Sequence, residues 1–176
     1  MASNSKICKL KISLSDIDRN HYDTLNLIVA QHPSETTERM MVRILVFCIN
    51  AQERLEFTKG LSATDEPDLW ARSLDDQLML WIDVGEPSID RIKKASRIAK
   101  EVKVYSFNRK SKPWWDSGRD KFTQLNASFY RFEWESIQAL ARLQQRTMQL
   151  SVTISGNSAY VATELGECEV GWVVLK

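Results

Sequence analysis

The chain has 176 residues, 43% of them hydrophobic, and 24 Lys and Arg against 23 Asp and Glu give a formal net charge of +1. Length and apolar content suffice for a single domain over 1–176 with a substantial core. The near balance of charge excludes attraction to phosphate by the whole molecule, so affinity for nucleic acid has to come from a local patch.

Ile7, Leu10, Ile12 and Leu14 alternate in part, and Tyr22 to Val29 is rich in residues suited to a pleated strand. Together they predict an opening hairpin with its turn over Asp16 to Asn20. Pro33 ends the second strand, and Ser34 is placed to cap a helix running from about Glu35 to Gln52, with Glu35 at its positive end. Met40, Met41, Val42, Ile44, Leu45, Phe47, Cys48 and Ile49 make that helix apolar on most of its circumference, leaving Arg39 and Arg43 for a wetter face. Glu35 can pair with Arg39 four residues on. Glu38, in contrast, stacks under Met41, Val42 and Leu45, where a carboxylate needs a partner or a metal.

Leu55 to Leu61 reads as a strand, Thr64 to Ser73 as a turn or short helical piece, and Leu78 to Val84 as a central strand ended by Gly85 and Pro87. Ser88 can cap a second helix reaching about Lys103, and Val102 to Phe107 follows as a strand parallel to the central one across a helix-length crossover. Asn108 to Asp120 is polar and basic, Phe129 to Phe132 is a short strand, and Glu133 to Gln145 has a helical pattern. Met148, Leu150, Val152 and Ile154 alternate, Ser155 to Ser158 supplies a turn, Tyr160 to Ala162 returns, and Val170 to Leu175 closes the chain as strand. The expectation is an α/β fold.

Cys8, Cys48 and Cys168 lie far apart without CxxC or Cys/His spacing, which argues for reduced thiols and against a disulfide framework or zinc site. Neither a signal-like apolar run between Met1 and Lys11 nor a membrane-length apolar segment occurs, so a cytoplasmic protein without membrane contact is expected. Oligomeric state is not encoded in any readable pattern, and a monomer is compatible with the sequence.

The densest chemistry lies in Leu80-Trp81-Ile82-Asp83-Val84-Gly85-Glu86-Pro87 and the helix beyond it. A carboxylate ending an apolar strand, with Arg91, Lys93 and Lys94 soon after, is a layout suited to metal-dependent phosphodiester cleavage. Taken alone, however, Asp83 also reads as a strand-end turn residue, Asp68 as an exposed loop acid, and Lys93, Lys94, Arg97 and Lys100 as a solvated helix face. At about 100° per residue, Ile89, Ile92, Ala95, Ala99 and Val102 form one face, with Arg91 near its edge and Lys93 and Lys94 on opposite flanks.

The segments His32-Pro33-Ser34-Glu35-Thr36, Glu38-Arg39-Met40-Met41, Asp65-Glu66-Pro67, Leu80 to Gly85 and Arg91-Ile92-Lys93-Lys94-Ala95 resemble the YaeQ family of bacterial proteins over almost the whole chain. The resemblance implies a mixed central sheet flanked by helices, a PD-(D/E)XK nuclease-like core with additional N- and C-terminal β-strands. It implies that Asp68 and Asp83 are the two motif acids, that the Val84 carbonyl is the backbone ligand and that Glu38 is the extra helix acid, together holding Mg²⁺ or Mn²⁺. Such hard cations take oxygen ligands, acidify a bound water and neutralise the phosphate in flight. The pattern is broken at Gly85, where the motif lysine is missing; Lys93 or Lys94 could replace it, while Arg91 could brace phosphate or carboxylates but carries protons poorly.

Arg109, Lys110 and Lys112, next to Trp114 and Trp115, interleave cations and aromatics as single-strand binders do. Alternatively, one or both indoles pack underneath while the cations stay in water. Two functions follow: a metal-dependent nucleic-acid-binding protein, with or without nuclease activity, or a nuclease-fold binding or regulatory protein that does no chemistry.

Overall fold

The computed structural model describes residues 4–176, and of Ser62 the backbone alone; Met1 to Ser3 of the expected 1–176 span lie outside the described residues. Backbone contacts gather the described residues into two compact units, the first comprising residues 4–49 and 135–172, the second 50–134 and 173–176.

In the first unit, β1 (Lys6–Asp16) and β2 (His21–Gln31) form the expected antiparallel hairpin, in register from Lys6 opposite Gln31 to Asp16 opposite His21. β8 (Thr147–Ser155) lies parallel to β1, and β9 (Ser158–Thr163) and β10 (Gly166–Val174) continue antiparallel. Period-two patterning decides which way these strands face. Leu10, Ile12 and Leu14 of β1 and Met148, Leu150, Val152 and Ile154 of β8 are all buried, while their neighbours along the strand are largely exposed. Helix α1 (Thr37–Ile49) brings Met41, Ile44, Leu45 and Cys48 against Leu150, Val152, Val161 and Leu140, the last on helix α4 (Trp134–Ala141).

Helix α1 starts later than the sequence suggests. Thr36 Oγ1, not Ser34, accepts the Arg39 N–H at 3.2 Å, and Ser34 instead faces His32. Arg43, assigned to a wet face, is 3% exposed: Glu35 takes its Nε at 2.9 Å and Nη2 at 2.6 Å, and the Ala30 carbonyl accepts from Nη2 at 2.9 Å. The expected pairing of Glu35 with Arg39 is present at 2.6 Å. A carboxylate thus joins two arginines, and this is what lets a cation enter a buried helix face. Cys8, Cys48 and Cys168 are free thiols, and burial pushes the Cys48 thiol up to about 12, so it stays protonated and inert.

In the second unit, β3 (Leu55–Phe57), β4 (Leu69–Arg72) and β5 (Leu78–Val84) are antiparallel neighbours, and β6 (Glu101–Ser106) and β7 (Ser128–Phe132) extend the sheet in parallel. β4 occupies part of what reads in sequence as turn or helix. Leu69 and Ala71 are buried and the strand pairs on both edges, so tertiary pairing overrides weak local preference. β3 ends early because Gly60, at φ 60°, opens a 3-10 turn over Gly60–Ser62. Helix α2 (Ile89–Ile98) stops well short of Lys103: Ala99 is extended, and Lys100 N–H already bonds the Leu78 carbonyl beside β5.

Asn108 to Asp120 is largely helical, within α3 (Ser111–Phe122); Pro113 falls in its first turn, where a backbone N–H has no intrahelical acceptor. The core of this unit joins Trp81, Ile92, Ala95, Val104, Trp115, Phe122 and Phe129. Among the described residues, no helix is long and apolar enough to cross a membrane.

Candidate functional site

The two expected motif acids meet at the end of β5. Asp68 immediately precedes β4, its N–H bonds the Ile82 carbonyl at 3.0 Å, and its Oδ2 accepts the Val84 N–H at 2.7 Å. Asp83 lies on the neighbouring strand, and both acids are buried, Asp68 at 5% exposure and Asp83 at 3%. Neither is therefore a loose surface carboxylate. Glu38 belongs to the other compact unit, on the first turn of α1, where it is half-buried.

Arg91 supplies the charge that this burial demands. It sits in the first turn of α2, where Ser88 Oγ accepts its N–H at 3.2 Å. A cation at a helix N-terminus opposes the helix dipole, so a compensating anion is required there. Asp83 provides it: Arg91 Nε donates to Oδ2 and Nη2 to Oδ1, each at 3.0 Å. The same guanidinium reaches the Glu66 carbonyl at 2.7 Å and the Thr64 carbonyl at 2.5 Å, and lies 5.7 Å from the centre of the Trp81 ring. One side chain thereby ties β5, α2 and the loop before Asp68 together. Burial raises the Asp83 carboxyl above its ordinary range, the Arg91 hydrogen bond and charge pull it back, and Asp68 adds a further upward push.

This arrangement tests the divalent-ion expectation for Asp68, Asp83 and the Val84 carbonyl. A hard cation would seek carboxylate oxygens open to it, but both Asp83 oxygens already accept from a guanidinium, and Asp68 Oδ2 accepts from a backbone amide. As folded, the donor set does not fit a resident Mg²⁺ or Mn²⁺. Gly85 reinforces the departure from a lysine-bearing motif: its φ is 115°, a conformation that side chains rarely adopt, and its N–H bonds the Tyr105 carbonyl at 2.8 Å.

Lys93 and Lys94 are exposed on α2, whereas Ile92, Ala95 and Ala99 are buried, as the helical spacing requires. Exposed Arg97, Lys100, Arg109, Lys110, Lys112, Arg119 and Lys121 extend this basic surface over α2, α3 and the segment between them. From Arg91 to Lys121 there are eleven Lys and Arg against three Asp and Glu. Lys112 is partly neutralised by Asp116 at 2.7 Å, and Arg109 lies 5.6 Å from the Trp134 ring centre.

Trp115, expected as a stacking platform, is 5% exposed and packs on Phe122 and Phe129 at centroid distances of 5.6 and 5.1 Å. Trp114 is half-buried, 4.7 Å from Phe122, and donates Nε1 to the Pro87 carbonyl at 3.0 Å. The Trp115 ring offers no open face for a base, and both rings hold α3 on the sheet. A chain from Lys103 Nζ through Asn50 to the Tyr105 hydroxyl, at 2.8 and 3.0 Å, has no signature in the spacing of those residues.

A sequence model described as YaeQ protein matches residues 1–172. Curated proteins named YaeQ from Escherichia coli strain K12 and Salmonella typhi are 38% and 37% identical, each over 97% of this chain and 95% of their own. The crystal structure of YaeQ from Xanthomonas axonopodis pv. citri superposes with a TM-score of 0.94 at 34% identity, covering 98% of both chains. That of YaeQ from Pseudomonas syringae gives 0.93 at 33%, covering 98% of this chain and 96% of its own. This chain belongs to the YaeQ family.

Proposed function

We propose that this chain is a nucleic-acid-binding protein on a variant PD-(D/E)XK core, in which an arginine has closed the acid pair so that phosphodiester backbone is held without being cut. The observation that carries this reading is the Arg91 fork on Asp83, with both carboxylate oxygens engaged at 3.0 Å. Support for the core comes from two buried acids, one just before β4 and one on β5, and from the parallel crossover from β5 through α2 to β6. The exposed cations of α2 and α3 supply the phosphate-binding surface that the overall charge lacks.

The test is a panel of labelled single- and double-stranded DNA and RNA, followed by anisotropy across a salt series and by gel for cleavage with Mg²⁺ or Mn²⁺. Binding that weakens steeply with salt, without cleavage, is the expected result. Replacing Lys93 and Lys94 with Gln should reduce the salt slope by about 0.7 to 0.9 for each phosphate no longer neutralised. Absence of binding at low salt would remove the reading.

The side-by-side burial of Asp68 and Asp83 favours one alternative, a Mg²⁺- or Mn²⁺-dependent nuclease in which Arg91 leaves Asp83 when substrate arrives. Cleavage by the wild type that disappears in Asp68→Ala/Asp83→Ala would establish it.

A further inference from the structure

The geometry points to an anion site in the first unit that takes the phosphate monoester group of a small polar metabolite. A cavity of about 400 Å³ opens between the start of β1, the end of β2, the beginning of α1 and the residues leading into β8. Its size lies within the range of small-molecule sites. Lys6 and Arg146 stand in its wall, no Asp or Glu lines it, and neither cation joins an ion pair among the described residues.

The surroundings favour a compact oxyanion. Thr37 contributes the opening residue of α1, a helix of 13 residues whose first N–H groups lack intrahelical acceptors, the Arg39 N–H being taken by Thr36 Oγ1. The positive end of that helix adds to the two side-chain charges. Arg146 is an exposed residue lining the cavity, and its carbonyl accepts the Lys9 N–H at 2.9 Å, so its side chain starts from a fixed backbone. Its planar fork matches two oxygens of a phosphate, and Lys6 can meet a third as a point charge.

Polar groups fill the rest. Gln31, opposite Lys6 in the hairpin, is held by its Nε2 donating to the Glu35 carbonyl at 3.0 Å. Gln144 is steadied by an Nε2 contact with Cys8 Sγ at 3.6 Å, with that thiol at the buried floor. Carboxamides in these positions suit hydroxyl groups on the body of the ligand, where a purely ionic site would have none. The site is separate in chain and charge from the basic residues of α2 and α3.

Amide resonances of the intact protein, titrated with inorganic phosphate at constant ionic strength in chloride, provide the test. Saturable shifts centred on residues 6–8, 37–38 and 144–146 are expected, with affinity about tenfold weaker in Arg146→Gln and lost in Lys6→Gln/Arg146→Gln. Both variants should keep the wild-type spectrum elsewhere, since neither side chain joins an ion pair among the described residues. Titration with succinate distinguishes carboxylate from phosphate preference, and a site selective for succinate overturns the phosphate assignment. Shifts confined to residues 91–121, no saturation, or an unchanged titration in the double variant also overturn it.

Discussion

Arg91 holds both oxygens of Asp83 at 3.0 Å from the first turn of α2 while spending further donors on the carbonyls of Thr64 and Glu66. Its removal strands a buried carboxylate and releases the loop that positions Asp68. Arg91→Gln should cost on the order of 3 kcal/mol in urea unfolding. Arg91→Lys should recover only part, because a point charge cannot span two carboxylate oxygens and two carbonyls. Isothermal titration with Mn²⁺ adds a functional readout: if the guanidinium is what closes the pair, Arg91→Gln should bind Mn²⁺ more tightly than the wild type does. An Arg91→Gln protein as stable as wild type would contradict the structural role of the fork.

The raised Asp83 carboxyl has a defined sign in stability. The folded protein holds this proton more tightly than the unfolded chain, so the group's contribution is fully present below the ordinary carboxylate range and is lost as pH rises through the raised folded value. Other acids overlap this window, but the difference between wild type and Asp83→Asn isolates the group. Unfolding series from about pH 3 to pH 7 should show the wild type losing stability relative to Asp83→Asn as pH increases. A difference that grows in the opposite direction would mean that the arginine outweighs desolvation.

Glu35 is the common acceptor of Arg39 and Arg43, yet the two arginines are unequal. Arg43 is 3% exposed and has all its observed partners inside the protein, whereas the Arg39 side chain is 17% exposed. Arg43→Ala should therefore destabilise by about 3 kcal/mol, because Glu35 loses its most buried partner and keeps Arg39 alone, and because the bond to Ala30 is lost. Arg39→Ala should cost no more than about 1 kcal/mol. Equal losses in chemical denaturation would refute the ranking.

Trp115 distinguishes a core role from a binding role for the aromatic pair. Its ring lies among Phe122 and Phe129, so Trp115→Ala should cost about 3 to 5 kcal/mol in stability. In contrast, Lys110→Gln, on an exposed side chain, should leave stability within about 0.5 kcal/mol and act on the salt dependence of nucleic-acid affinity. A Trp115→Phe protein that retains both stability and affinity would agree with packing. Loss of affinity alone would return the ring to the binding surface.

Strand alternation made much of this fold readable. Leu10, Ile12 and Leu14, and later Met148 to Ile154, identify their buried faces from period two alone, and the β5 to β6 crossover follows from the helix-length gap. Partnerships between distant residues were harder to read. β4 exists because Leu69 and Ala71 pair on both edges, and Arg43 is buried because Glu35 turns back onto it; neither fact has a local period. At the candidate site, the residues Asp68, Asp83 and Arg91 were legible, but the three-dimensional closure of the fork was not. Spacing can place an arginine near an acid, while only the fold determines whether it takes one oxygen, two or none.

Gly85 is the position at which a lysine expected of a PD-(D/E)XK motif can be introduced. A Cβ at this position would meet nothing within 4 Å, so Gly85→Lys is free of direct steric conflict and any cost comes from the backbone. At φ 115°, a side-chain-bearing residue is strained by about 1 to 3 kcal/mol, and relief would require rotating the amide that bonds Tyr105. The variant should therefore unfold at lower urea concentration and show no phosphodiesterase activity, because the guanidinium still occupies Asp83. Gly85→Ala provides the control: an equal loss of stability assigns the penalty to φ rather than to the lysine charge. If Gly85→Lys cleaves nucleic acid with Mg²⁺ while Gly85→Ala does not, the acid pair is open enough to work and the closed-site reading fails.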